Sequence, residues 1–255
     1  MKLTLRFLIS FLIPLLMSTG AMAQLEVIIS GGFQGPYTAM LPEFQKVNGI
    51  TVTTKSGASQ GSGPKTIKAQ LANGVTADVV IMSREGLAEL IAAGKIIPGT
   101  DVDLALAPLG LAVPAGTPKP DISTTPLFKS ALIKAKSIVV PGSTSGIYLT
   151  KELFPQLGLS NLITVTVTER GSQATTLLAA KEANIAIQPS SELVNVAGID
   201  YVGRIPNELQ LIQTFSAAIV VGSTQREAAQ KLIQSLSSPK AVEHIKHSGM
   251  DLVQK

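Results

Sequence analysis

The chain has no cysteine and no tryptophan, and its two histidines, His244 and His247, fall in the last dozen residues. The missing thiols exclude disulfide staples, cysteine-ligated zinc, iron–sulfur clusters and cysteine nucleophiles together. Two late histidines leave no His-rich metal site and no mid-chain Ser–His–Asp triad, so no metal and no cofactor is expected. Charge is sparse as well: 15% of the residues are charged and 45% are hydrophobic, the reverse of a composition that keeps a chain disordered. No Lys/Arg cluster and no aromatic stacking platform is present, which removes the usual signature of nucleic-acid binding. The 255 residues are enough for one or two ordinary cores, since a chain of this size buries roughly 70–75% of its unfolded surface.

The N-terminus opens Met-Lys-Leu-Thr-Leu-Arg, continues with the mainly apolar run Phe7–Met17 and ends in Ala21-Met22-Ala23. A charged start, a short apolar stretch and a small-residue box together read as an export signal cleaved after Ala23. The run spans about 16 Å as a helix, too short for a bilayer core of roughly 30 Å. Loss of Lys2 and Arg6 would leave 19 basic against 17 acidic residues, so most of the formal +4 charge belongs to the leader. No later apolar stretch is long enough to span a bilayer, so the mature protein is expected in the periplasm and not inserted in the membrane.

Strand-like runs then alternate with helical patterns. Leu25–Ser30, Thr51–Thr54, Asp78–Met82, Leu104–Val113, Ser137–Val140, Thr164–Val167, Asn184–Ile187, Tyr201–Val202 and Phe215–Val221 read as strands. Helices are expected over 36–46, 65–72, 84–93, 147–157, 173–180, 190–194, 225–236 and 240–247. This alternation, with continuous apolar strands, predicts an α/β fold of parallel sheets covered on both faces. Two breaks, Pro114–Pro120 and the segment around Arg204–Leu209, suggest chain crossings between lobes. The expected division is a leader over 1–23, lobe one over 24–113 and 210–255, and lobe two over 114–209.

Open α/β sheets bind ligands beyond the carboxyl ends of their strands, at helix N-termini. Those places hold Ser30–Gly35, with Gly32 and Phe33; Lys55–Pro64, with Ser59 and Gly61; then Ser83 and Arg84. Further along come Gly142–Gly146, with Ser143, Ser145 and Gly146; Glu169–Ser172, with Arg170; and Gln188–Ser191, with Gln188 and Ser191. Unpaired helix N–H groups and the helix dipole suit anions, and hydroxyls add adaptable donors. Each loop alone is equally the ordinary chemistry of caps and turns; several together point to an anion cleft. Lys65 stands on a first helical turn, where the dipole prefers acids, so either a bound anion or solvation explains it. Arg170 beside Glu169 reads as a surface pair or as a clamp for a carboxylate, and Arg84 faces the same choice. Asp78 reads as structural, and Tyr148 either packs its lobe or reaches the cleft.

Taken in order, the leader, the Gly-rich and Ser/Gly loops, Ala77-Asp78-Val79-Val80-Ile81 and Gly142-Ser143-Thr144-Ser145-Gly146-Ile147-Tyr148 resemble the periplasmic molybdate-binding proteins of ABC transporters. The resemblance implies two α/β lobes of type II periplasmic-binding-protein topology, hinged around a central cleft. There serines and backbone amides hold the ligand. The first loop, Ser59–Lys65 and Ala186–Leu193 depart from that pattern. Ser59-x-Gly61-x-x-Pro64, Ser145–Tyr148 with Glu152–Pro155, and Gln188 with Ser191-Glu192-Leu193 are similar to a branch of the fold that includes periplasmic aconitate isomerase. That branch implies interconversion of trans- and cis-aconitate by an allylic proton shift on a tricarboxylate. The alternative is a solute-binding protein that delivers molybdate, another oxyanion or a carboxylate to an ABC permease. A base is needed for the shift; Lys65 and Tyr148 are the candidates taken, with a tuned carboxylate beside them.

Overall fold

The computed structural model describes residues 24–254; the export signal and the cleavage after Ala23 lie outside the described residues. The first sheet is built from β1 (Gln24–Ile29), β2 (Thr51–Ser56), β3 (Val79–Ser83) and β4 (Val102–Ala107). The second comprises β5 (Leu109–Pro114), β6 (Ser137–Pro141), β7 (Thr164–Thr168), β8 (Ile185–Pro189) and β9 (Ile199–Arg204), after which β10 (Gln213–Ile219) returns to the first. Their orders, β2-β1-β3-β10-β4 and β7-β6-β8-β5-β9, repeat one pattern. The result is the expected two-lobed α/β architecture.

The sheets are mixed and not wholly parallel. β1 runs parallel to β2 and β3, whereas β10 is antiparallel to both β3 and β4. Likewise β6 is parallel to β7 and β8, and β5 is antiparallel to β8 and β9. Continuous apolar runs report burial on two faces, and antiparallel neighbours satisfy that equally well. The Leu104–Val113 run, expected as one strand, is two strands in different sheets, with Pro108 between them. Proline has no N–H to continue a ladder, and the Pro108 carbonyl accepts instead from the Ser190 amide at 2.8 Å.

Helices α1 (Gln34–Asn48), α2 (Ile67–Ala72) and α3 (Arg84–Ala92) cover the first sheet, and α4 (Thr125–Ala135) the second. No element was expected over α4; the Thr124 hydroxyl caps it and Pro126 pre-sets its first turn. The helix expected over 147–157 consists of α5 (Thr144–Tyr148), a π-helical turn (Leu149–Leu153) and α6 (Phe154–Gln156). Pro155, which lacks an N–H and crowds the preceding turn, marks that irregularity. Next come α7 (Gly171–Ala179), α8 (Arg226–Leu236) and α9 (Ala241–His247); residues 190–192 form only a 3₁₀ turn in place of the helix expected over 190–194. Among the described residues no helix is long and apolar enough to cross a membrane.

Strand alternation places a core on each face of each sheet. Leu25, Val27 and Ile29 pack with α1, α8 and α9, while Ile28, Val80 and Met82 meet α2 and α3. In the second sheet Ile138 and Val140 share a core with Phe128, and Val139 packs on the other side with Ala174 and Leu178. Buried Asp78 ties the first sheet together: its carboxylate accepts from the Glu26 amide at 2.8 Å and from the Ser223 hydroxyl at 2.7 Å. Asp78→Ala should therefore lower the unfolding free energy in urea by about 2–4 kcal/mol, because two donors lose their shared acceptor. A loss below about 0.5 kcal/mol would remove Asp78 from that role.

Candidate functional site

The carboxyl ends of β1, β2, β6, β7 and β8 converge on a cavity of about 810 Å³. Its first-sheet wall carries Ser30, Gly31 and Gly32 after β1, Ser56–Ser59 after β2, and Gln213 and Phe215 from β10. Its second-sheet wall carries Pro141, Ser143 and Ser145 after β6, Arg170–Ser172 at the start of α7, and Ser191 and Glu192 after β8. Direct contacts join the walls: the Ser83 and Thr144 hydroxyls lie 2.9 Å apart, and the Gln60 amide donates to Ser143 Oγ at 3.4 Å. Arg204 grips Asp251 with two hydrogen bonds of 2.8 Å, and Asn195 Nδ2 lies 3.2 Å from His247 Nε2. The lobes are thus in contact around the cavity.

Of the residues singled out in the sequence, Gly32, Ser59, Ser143, Ser145, Arg170 and Ser191 line the cavity. Ser59 Oγ is engaged by the Ser83 amide at 2.9 Å. The others stand elsewhere, each for a local reason. Phe33 is wholly buried in the first core. Ser83 caps α3 by accepting from the Gly86 amide, and Arg84 is held by Asp101 and Asp103. Gly61 adopts φ +117°, where a side chain would also run into the Gly142 carbonyl. Gly146 is needed for packing, because a Cβ there would lie 1.6 Å from the Pro141 carbonyl oxygen. Gln188 is buried and braces the loop after β8, donating to the Glu192 carbonyl at 3.1 Å.

The two proton-transfer candidates also lie outside the lining. Lys65 Nζ sits 3.6 Å from Glu169 on the exterior, with 61% of its side chain exposed, and so meets an acid and not the cavity. Tyr148 donates to the Leu209 carbonyl at 3.0 Å, and burial raises its pKa, with Glu152 adding to the shift.

Glu192 is the carboxylate that the sequence reading left without a role. It is the one acidic side chain among the described lining residues. Gly31 from one wall and Gly171 from the other make room for it: a Cβ on Gly31 would lie 1.8 Å from Oε1, and one on Gly171 2.3 Å from Oε2. Desolvation pushes its pKa up to about 7, against the opposing pull of Arg170. A carboxyl so placed is half ionised near neutral pH, the condition for taking up and returning a proton. His244 and His247 also line the cavity, three residues apart on α9. Ser30 Oγ, Ser191 Oγ and Gln213 Oε1 are buried without a hydrogen-bond partner among the described residues. Each belongs to a lining residue, and a buried unpaired polar atom is costly until something pairs with it.

The chain matches the family described as bacterial extracellular solute-binding protein over residues 25–251 and belongs to it. It is 35% identical to an aconitate isomerase from a Pseudomonas species, over 92% of this chain and 90% of that protein. Its fold is shared with the periplasmic molybdate-binding protein of Azotobacter vinelandii, at a TM-score of 0.71 and 21% identity over 90% of this chain and 100% of that one. The sulfate-binding protein SubI of Mycobacterium tuberculosis superposes with a TM-score of 0.73 at 19% identity, over 91% of this chain and 88% of the other.

The raised proton affinity of Glu192 has a consequence for stability. The folded chain holds a proton that the unfolded chain releases near the ordinary carboxylate value of 4.5. The stability contributed by the protonated form is full below that value and is lost as pH rises through about 7. Glu192→Gln should remove this decline, so that its advantage over the parent grows between pH 4.5 and 7.5 to a few kcal/mol at most. Chemical denaturation across that range measures it, and parallel curves would contradict the assignment. Gly31→Ala should by contrast leave the melting temperature within a few degrees, because the methyl group meets only the movable end of Glu192, while ligand affinity falls at least tenfold.

Proposed function

We propose that this solute-binding family member is an exported enzyme of the aconitate isomerase type, interconverting trans- and cis-aconitate in the periplasm after cleavage behind Ala23. Its lobes would be the two sheets with their helices, crossing near Pro108 and again over 205–212. The observation that carries the reading is the Glu192 carboxyl inside an anion-suited cavity, beside Arg170 and the start of α7. The curated relative named aconitate isomerase supports it along nearly the whole chain.

In this reading a tricarboxylate enters between the walls with its charges spread over several donors. Arg170 supplies one fixed positive charge, and the positive end of α7, where Gly171 and Ser172 line the cavity, a second anion seat. Ser30, Ser143, Ser145 and Ser191 supply hydroxyl donors along the remaining wall. Glu192 withdraws a proton from the methylene carbon, and the double bond shifts by one position. A proton is then returned to the former alkene carbon, so nothing is oxidised or reduced. The intermediate dienolate places negative charge on a substrate carboxylate, where Arg170 and the α7 amides stabilise it. Lys65, engaged with Glu169 on the exterior, and Tyr148, engaged with Leu209, have no part in this scheme.

Purified mature protein given trans-aconitate should form cis-aconitate, followed by chromatography. Glu192→Gln should lower kcat by about 10²–10⁴-fold while KM changes little, the loss expected for a positioned acid–base group. Arg170→Ala should raise KM at least tenfold. No turnover, together with micromolar binding of molybdate, would replace the enzyme by the second reading, a receptor delivering an oxyanion to a permease. The molybdate- and sulfate-binding proteins of the same fold favour that alternative.

A further inference from the structure

Glu192 sits at the end of a turn of only three residues, Ser190–Glu192. So short a turn makes few bonds of its own, and the place of its carboxyl depends on what grips its neighbours. Ser190, two residues before it, is wholly buried and is held from several directions. Its amide donates to the Pro108 carbonyl at 2.8 Å, and its carbonyl accepts from the Leu193 and Val194 amides at 3.0 and 2.9 Å. Its hydroxyl lies 2.9 Å from the Tyr201 hydroxyl, a side-chain hydrogen bond that ties the turn to β9. At the other end of the turn, Gln188 donates to the Glu192 carbonyl at 3.1 Å.

The second sheet is shaped around the bond between Ser190 and Tyr201. Along β5 and β9, Val113 faces Asp200 and Ala112 faces Tyr201, but Leu111 faces Gly203, so Val202 is an extra residue in β9. Such a bulge re-aims the side chains beside it, and Tyr201 is its immediate neighbour. Gly110 shares a face of β5 with Ala112 and leaves the space that the bond occupies. A Cβ on Gly110 would lie 2.6 Å from Tyr201 Cε2 and 2.7 Å from Ser190 Oγ. Gly249, after α9, approaches the same turn from the first-sheet side; a Cβ there would lie 2.9 Å from Val194 Cγ2 and 3.5 Å from Ser190 Cβ. Tyr201 is not among the described lining residues, so its hydroxyl reaches the cavity only through Ser190.

We propose that Tyr201 is a positioning residue: by bonding Ser190 it holds the 190–192 turn, and with it the Glu192 carboxyl, where a substrate methylene meets it. What Glu192 does there rests on the isomerase reading above; where it is held rests on the bonds of the turn. A misplacement of about 1 Å costs a reaction step about 10²-fold, so a proton-transfer group on a three-residue turn needs an anchor outside that turn. The Tyr201 ring packs against the core that contains Ala112 and Leu178. Tyr201→Phe keeps that packing, removes one oxygen and leaves the buried Ser190 hydroxyl without its partner.

The experiment compares the mature protein with Tyr201→Phe and Ser190→Ala, which break one bond from its two ends, and with the double variant. Turnover of trans-aconitate gives kcat and KM. Tricarballylate, a saturated tricarboxylate without an alkene to isomerise, gives affinity by titration calorimetry. Each single variant should lower kcat about 10–100-fold, with KM and tricarballylate affinity within about twofold of the parent. The double variant should be no slower than the slower single one, because the same bond is lost. Hydrogen exchange reads the turn directly: the Leu193 and Val194 amides should exchange at least about tenfold faster in either variant, while the amides of β6 keep the parent's rates. Unchanged kcat, or unchanged exchange at those two amides, would overturn the proposal. So would losses that multiply in the double variant, or a fall in tricarballylate affinity equal to the fall in kcat, which marks damage to the whole cavity. If one single variant does not fold, the other carries the test. If the parent does not convert trans-aconitate, the isomerase reading falls, and exchange at Leu193 and Val194 decides on its own whether Tyr201 holds the turn.

Discussion

The proposed chemistry of this cavity depends on one half-buried carboxyl group set between its two walls. Glu192 stands between two backbones that lack a Cβ, one in each lobe, and among the described residues its opposing charge comes from Arg170. Close approach of the lobes makes that environment, and the contacts between Ser83 and Thr144 and between Arg204 and Asp251 show how the approach is held. The two sheets share a strand order, so the carboxyl ends of their parallel strands face one another across the seam. Hydroxyls and amides gather at those ends in any fold of this kind. The acid among them gives this cavity a property that donors alone do not provide.

The loops that form the cavity were legible because they obey a local rule. Ser59, Ser143, Ser145 and Arg170 follow strands and precede helices, and a strand's end can be read from its apolar run and the turn residues after it. The same rule over-reached at Ser83, Gly146 and Arg84, where capping, close packing and an acidic pair 17 and 19 residues further on absorb the residues. Lys65, expected on a first helical turn, instead precedes the Thr66 cap of α2, and Glu169, more than a hundred residues later, engages it without any ligand. The outcomes at Arg84 and Lys65 depend on partners distant in the chain, whereas those at Ser83 and Gly146 are set within five residues.

Glu192 was hidden for the same reason. Its three-residue turn carries no periodic signal, and the glycines that enclose it lie at positions 31 and 171. His244 and His247 looked remote because they close the chain, but α9 packs beside α1 and returns them to the loop after β1; Ser248 lies against Gly35. The direction of β5 and β10 was likewise unreadable, since an apolar run reports burial and says nothing of its neighbours' polarity. Pro108, one residue between two apolar segments, was the available sign that Leu104–Val113 is divided.

The most direct test is a crystal structure of the mature protein grown with tricarballylate. The account places a ligand methylene carbon against the Glu192 carboxyl and a ligand carboxylate on Arg170 and the start of α7. A ligand seated elsewhere on the molecule, or held in this cavity with Glu192 turned away from it, would contradict the account.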